Sequence, residues 1–290
     1  MSEFEGKNLW ALIIGGSSGM GLASAQKLAS HGMNIIVVHK DRRSTLELAE
    51  KAFEDIRSQG VELISFNKDG VNSESIQKLV NEVSDVLKEK NGRIKLFLHS
   101  IAQGNLKALV PRKESTAEKE TTEDSLAAFF KKKSENGVSG ILRKQDFDLT
   151  VNSMGISLFD WVRLLLVEDL FAKNARIIGL TSEGNDKVWG GYAAVATAKS
   201  ALETLIKYFA VELAPYNITA NLVQAGVTET PSLNLIPGSD FLKAFTTHRN
   251  PQKRLTQPED IANVIYLLCK KEANWINGTT IIADGGEHLV

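Results

Sequence analysis

Tyr192 and Lys199 stand seven positions apart in the stretch Gly190 to Pro215, GGYAAVATAKSALETLIKYFAVELAP. The stretch reads as one long helix. A seven-residue step on a helix returns to within about 20° of its starting direction, so phenol and ammonium project from one side. Ala193, Ala194, Ala196 and Ala198 flank them, and small side chains let a ligand or another helix approach closely. Both groups donate hydrogen bonds, which suits an oxygen that gains charge. On an ordinary amphipathic helix the same pair would simply be solvated, so its meaning depends on the rest of the chain.

A second group with chemical content is the turn GGSSGMG, Gly15 to Gly21. Its glycines Gly15, Gly19 and Gly21 form G-x3-G-x-G, a spacing different from the G-x-G-x-x-G dinucleotide fingerprint. They follow the apolar run Asn8–Ile14 and open an amphipathic helix. Glycine permits positive φ and lets a phosphate approach the backbone, and the helix N-terminus offers free N–H groups to a pyrophosphate. Ser17, Ser18 and Met20 complete this cradle. Past the next apolar run, Asn34–His39, come Lys40, Asp41, Arg42 and Arg43. Lys40 and Arg42 suit the 2′-phosphate of NADPH, while Asp41 leaves NADH open.

The elements that position these groups alternate regularly. Strands are expected at Asn8–Ile14, Asn34–His39, Val61–Phe66, Ile94–His99, Arg176–Thr181, Ile218–Val223 and Thr279–Ala283. Helices are expected at Ser44–Ser58, Ser73–Lys90, Phe147–Lys173, Gly190–Pro215 and Pro258–Lys271. This is an α/β pattern, a doubly wound parallel sheet of Rossmann type in a single domain, with ligands at the C-terminal ends of the strands. Asp69 and Gly70 fall in the turn where an adenine would lie, and Ser100, Ile101 and Ala102 follow the fourth strand. The fifth strand delivers Ser182. The loop-rich stretch Gln224–Asn250, with Thr228 and Thr230, is placed to cover a ligand. Gly104–Asp146 breaks the rhythm as a long polar insertion after the fourth strand, either a lid or partner-docking element or a solvated excursion. Within it Thr122–Lys133 has a helical apolar face.

With 290 residues, 43% of them hydrophobic, the chain is long enough for a substantial core. A net charge of -1 points to neither nucleic acid nor an anionic membrane. Cys269 is the one cysteine, which excludes a disulfide framework and fits a reducing cytoplasm. The histidines lack zinc-ligand spacing, so no metal is expected. No apolar run approaches the ~20 residues of a membrane span.

Gly15-x3-Gly19-x-Gly21, Ser182, Lys199 and the terminal TTIIADGG together resemble the short-chain dehydrogenase/reductase family, over nearly the whole chain outside the insertion. That family's catalytic tyrosine usually lies four residues before its lysine, where this chain has Val195. Tyr192 instead, with HSIA (His99–Ala102) and YAAVATAKSALETLIKYFAVEL, is similar to the enoyl-acyl-carrier-protein reductase branch, most of all its NADPH-dependent type III. The resemblance implies that Tyr192 hydrogen-bonds an enolate oxygen and that Lys199 binds the nicotinamide ribose. Ser182 would assist or shape the pocket, and Asn152 would order water near the lysine. It further implies that Asp69 and Gly70 flank adenine, Ile101 and Ala102 line the ribose, and Thr228 and Thr230 reach the carboxamide and pyrophosphate.

The implied reaction is NADPH-dependent reduction of a trans-2-enoyl thioester, carried on acyl carrier protein or coenzyme A, in fatty-acid synthesis. Alternatives are another activated alkene, a 3-oxoacyl or carbonyl substrate, or a catalytically inactive nucleotide-sensing protein. A homotetramer joined through the lysine-bearing helix is the implied assembly. Arg112, Lys113, Lys131 to Lys133, Arg249, Lys253 and Arg254 are candidates for meeting an acidic carrier protein.

Overall fold

A computed structural model describes residues 3–111, 140–234 and 239–290. Seven parallel strands form one sheet in the order β3-β2-β1-β4-β5-β6-β7. The first half comprises β1 (Leu9–Ile14), α1 (Gly19–Ala29), β2 (Asn34–His39), α2 (Arg43–Arg57), β3 (Leu63–Asn67), α3 (Ser73–Lys90) and β4 (Arg93–His99). The second half carries α4 (Lys144–Val151), α5 (Ser157–Val167), β5 (Phe171–Ser182), α6 (Ala193–Glu212), β6 (Thr219–Ala225), α7 (Pro231–Asn234), α8 (Ser239–Arg249), α9 (Pro258–Cys269) and β7 (Thr280–Ala283).

Strand alternation sorts the core onto two faces. Leu12 and Ile14 of β1, with Ile36 and Val38 of β2, pack under α3, α5 and α6. Ala11, Ile13, Ile35 and Val37 pack on the opposite face under α1, α2 and α9. The strand order reverses between β1 and β4, and the crevice at this switch point is where open α/β sheets take ligands.

Three expectations are corrected. The helix expected over Phe147–Lys173 starts at Lys144, passes through a π turn at Asn152–Ile156, resumes as α5 and stops at Val167. Asp169 then takes φ 52°, and Phe171–Lys173 already belong to β5. Apolar residues at Leu164, Leu165, Leu170 and Phe171 keep a helix-like rhythm across that break, which hides it from periodicity. The second correction is that Lys144–Val167, 24 residues, is long and apolar enough by composition to cross a membrane, though 56% of its most apolar window is buried in the fold. Its charges hide it from a search for uninterrupted apolar runs. Third, the loop-rich Gln224–Asn250 contains the helices α7 and α8.

The expected Thr122–Lys133 helix lies outside the described residues. The flanks of the insertion are tied down. Ala108 bridges Ile141, Lys107 pairs with Asp146 at 2.9 Å, and the Asn105 amide donates to Thr150 Oγ1.

Candidate active site

The glycine turn is built by close backbone packing. A Cβ on Gly15 would overlap the carbonyl of Ser100 at the end of β4, and one on Gly21 would overlap the carbonyl of Gly15. Gly19 has φ 53°, and a Cβ there would stand 3.2 Å from the Thr230 methyl. Thus Thr230, more than two hundred residues downstream, closes over the start of α1. Ser18 is the N-cap of α1 but its side chain makes no capping bond, so the first N–H groups of the helix face the crevice without that partner. A three-glycine cradle at a helix N-terminus on the switch point fits a dinucleotide.

The expected adenosine side is more specific. Lys40 pairs with Asp69 at 2.7 Å, so both expected binding residues are engaged with each other. Asp69 Oδ1 also accepts from the Val71 and Asn72 amides, which shapes the turn, and Gly70 fits where a Cβ would press Ile14 and Val38 at 3.1 Å. Arg42 is exposed at the N-cap of α2. Asp41 binds His39 Nδ1 at 2.8 Å and accepts from Ser17 and Thr45. Partial burial works to raise its carboxyl, but these hydrogen bonds outweigh it and hold Asp41 below the usual carboxylate range. The carboxylate therefore sits against the glycine turn itself.

The residues expected to act on substrate assemble at the C-terminus of β5. Ser182 Oγ and Tyr192 Oη are 3.0 Å apart. Lys199, 6% exposed, donates to the Leu180 carbonyl at 2.7 Å. The helix expected from Gly190 begins instead at Ala193. Tyr192 is its N-cap, with φ -96° and ψ -1°, in the bridge region where active-site residues often sit. The phenol is therefore aimed from the cap, with the turn before it and the first bond of α6, from the Ala196 amide to the Tyr192 carbonyl, both holding it. Gly184 makes this possible, since a Cβ there would overlap the Tyr192 ring. Val195, at the position of the usual family tyrosine, is 4% exposed and packs with Met154 and Ala198. Burial raises the Tyr192 phenol and the Ser182 bond opposes that, so the phenol stays a donor at neutral pH. Burial lowers Lys199 to about 8, with Glu203 pulling the other way.

Asn152 lies at the head of the π turn, where its Nδ2 donates to the Val71 carbonyl at 2.9 Å. Trp161 Nε1 donates to Gly70 O at 2.8 Å alongside it. Within the π turn, a Cβ on Gly155 would stand 2.7 Å from the Ala198 carbonyl, so this turn presses on the residue beside Lys199. His99 is fully buried, with Nε2 against Ser157 Oγ at 2.8 Å; Ser157 donates onward to Ser153 O, so Nε2 carries the proton. Burial, then the charge of Lys199, lowers His99 to about 3. Thr228 is buried and spends its hydroxyl on Gly226 O. Ile101 packs beside Met154 and Val195, and Ala102 is exposed.

Of the cations considered for an acidic carrier, Arg249 is held between Glu183 and Glu287, Arg254 pairs with Asp260, and Lys253 donates to His248 O. Arg112, Lys113 and Lys131 to Lys133 lie outside the described residues. Thr181, Gly184, Asn185 and Glu203 were not expected at the site. They carry no motif, and only the return of α6 across β5 brings them together.

Comparison with known proteins agrees with this architecture. Residues 124–288, more than half of the chain, match the family model described as enoyl-(acyl carrier protein) reductase, and residues 9–123 match that of short chain dehydrogenase. A 1-cyclohexenylcarbonyl-CoA reductase of Streptomyces collinus is 25% identical, over 97% of this chain and 87% of its own. A 3-oxoacyl-[acyl-carrier-protein] reductase of Staphylococcus epidermidis is 26% identical, over 97% of this chain and 100% of its own. Among solved structures, the angucycline C-6 ketoreductase LanV with bound NADP superposes with TM-score 0.78 at 21% identity, covering 100% of this chain and 98% of that one. With its glycine cradle, its Ser182–Tyr192 pair and its buried Lys199, the chain belongs to the short-chain dehydrogenase/reductase family and is an NAD(P)H-dependent oxidoreductase.

Proposed function

We propose that the chain reduces the 2,3-double bond of an enoyl thioester, with NADPH as reductant. The observation that carries this reading is the exchange at the start of α6: a buried Val195 where the family tyrosine usually stands, and a phenol supplied instead from the cap at Tyr192. Bound NADPH would supply hydride. When hydride reaches the β-carbon of an enoyl thioester, charge develops on the thioester oxygen, two bonds farther away than in ketone reduction. A donor must sit where that charge develops. Tyr192 hydrogen-bonds this oxygen, Ser182 orients the phenol, Lys199 favours the charged form, and a proton from water at the α-carbon completes the reduction. The name of the Streptomyces relative, itself a reductase of an unsaturated acyl thioester, supports the reading. The exposed Arg42 supports NADPH, as does NADP in the LanV structure. The thioester is carried on acyl carrier protein or coenzyme A, and the enzyme works as a homotetramer.

A second reading has its own support. Two hydroxyls 3.0 Å apart suit a single ketone oxygen, and several curated relatives are 3-oxoacyl reductases. NADPH oxidation followed with crotonyl-CoA and with acetoacetyl-CoA, on one preparation, separates the two. Faster turnover of crotonyl-CoA by about tenfold or more is expected; the reverse ratio overturns the enoyl reading, and no turnover with either favours nucleotide sensing.

A further inference from the structure

We infer that Glu203 is a positioning residue of this site, holding the turn that aims the Tyr192 phenol and lending Lys199 a compensating charge. The inference rests on the reading that Tyr192 and Lys199 serve the reduction. One carboxylate oxygen, Glu203 Oε1, accepts from Thr181 Oγ1 at 2.7 Å and from Asn185 Nδ2 at 2.6 Å. These two donors bracket Ser182. Between them runs the short turn Glu183–Asn185, whose Gly184 amide donates to Ser182 Oγ and whose backbone carries the Tyr192 ring. The helix that bears Lys199 thus grips both ends of the segment that bears Ser182. That grip adds to what α6 already gives Tyr192, the packing of its ring beside Val195 and Ala198 and the bond from the Ala196 amide to its carbonyl, by fixing the turn against which the ring lies.

The second part is electrostatic. Glu203 follows Lys199 by one helical turn and is the acid that opposes the effect of burial on it. Other titratable groups on elements packed against α6 have partners of their own or no charge: Asp148 of α4 pairs with Lys144, and Arg176 of β5 donates to Leu268 O. His99 of β4 is neutral, Glu183 of the turn is bound to Arg249, and Asp146 of α4 is paired with Lys107. Tyr192 is bonded to Ser182.

Glu203→Gln keeps an acceptor oxygen and removes the charge, whereas Glu203→Ala removes both. Two measurements are needed: the pH profile of kcat/KM with crotonyl-CoA and NADPH, and the titration of Lys199 followed by NMR of its 13Cε, assigned with Lys199→Arg. In Glu203→Gln both the high-pH limb and the NMR midpoint of Lys199 move down by about one pH unit. In Glu203→Ala, kcat falls about tenfold or more and the Tyr192 ring signals shift, with the KM for NADPH nearly unchanged. A purely structural carboxylate would leave the Lys199 midpoint where it was. An unmoved midpoint in Glu203→Gln, or a wild-type kcat in Glu203→Ala, overturns the inference. Should the wild type reduce no thioester while the midpoint and the ring signals still move, the proposed function fails and the role of Glu203 stands.

Discussion

At the scale of single residues, the proposed function rests on the phenol. Tyr192→Phe keeps the ring against Gly184 and removes only the hydroxyl that meets Ser182. We expect kcat to fall by at least ~10²-fold, the scale of one donor to a developing oxyanion, while NADPH still binds. Steady-state kinetics and a fluorescence titration with NADPH check this together; near-normal kcat would remove Tyr192 from the mechanism. The pair Tyr192 and Lys199 is visible in the sequence because both are polar among alanines. The way the phenol is aimed is not visible. Nothing in GGYAA marks the helix start at Ala193, since no side chain caps it. The partnership of Glu203 with Thr181 and Asn185 joins residues about twenty positions apart that share no spacing rule.

At the scale of elements, the π turn comes close to α6. Gly155 lets the Asn152–Ile156 turn press its backbone against Ala198, next to Lys199. Gly155→Ala puts a methyl into that contact, 2.7 Å from the carbonyl, and separates the two elements. Overpacking of this kind costs about 1–3 kcal/mol. The expected outcome is a lower urea midpoint with an unchanged slope, together with a reduced kcat, because Lys199 moves with its helix. Strands were legible from their apolar runs, and β2 was read to the residue. The π turn was not, because an extra residue inside a helix leaves the apolar composition intact and alters only the phase. Asp169 likewise ends α5 through a left-handed backbone at a residue that is not glycine, which composition does not announce. The basic residues after β2 were legible as charge, but the engagement of Lys40 with Asp69 depends on how β2 and β3 align in the sheet.

At the scale of the whole molecule, His99 makes the fold sensitive to acid. In the unfolded chain it takes up a proton below about 6.5, whereas in the fold it stays neutral down to about 3. Between those values protons favour the unfolded state, so stability is lost as pH falls from neutrality, by up to about 1.4 kcal/mol per pH unit from this residue. Urea unfolding of the wild type and of His99→Gln at a series of pH values tests this: the variant should lose part of the slope, and an identical slope would assign acid sensitivity to other groups.

The carbonyls of Gly70 and Val71 lie in the adenine-side turn of the first half of the sheet, yet their partners are Trp161 and Asn152 from the second half. Those two bonds stitch the halves across the switch point. A cofactor that steadies this turn would therefore also steady the helix pair it is bonded to, before any substrate arrives. Amide exchange would register this as slowed opening in α4 and α5 when nucleotide alone is added, with the two halves behaving as one cooperative body.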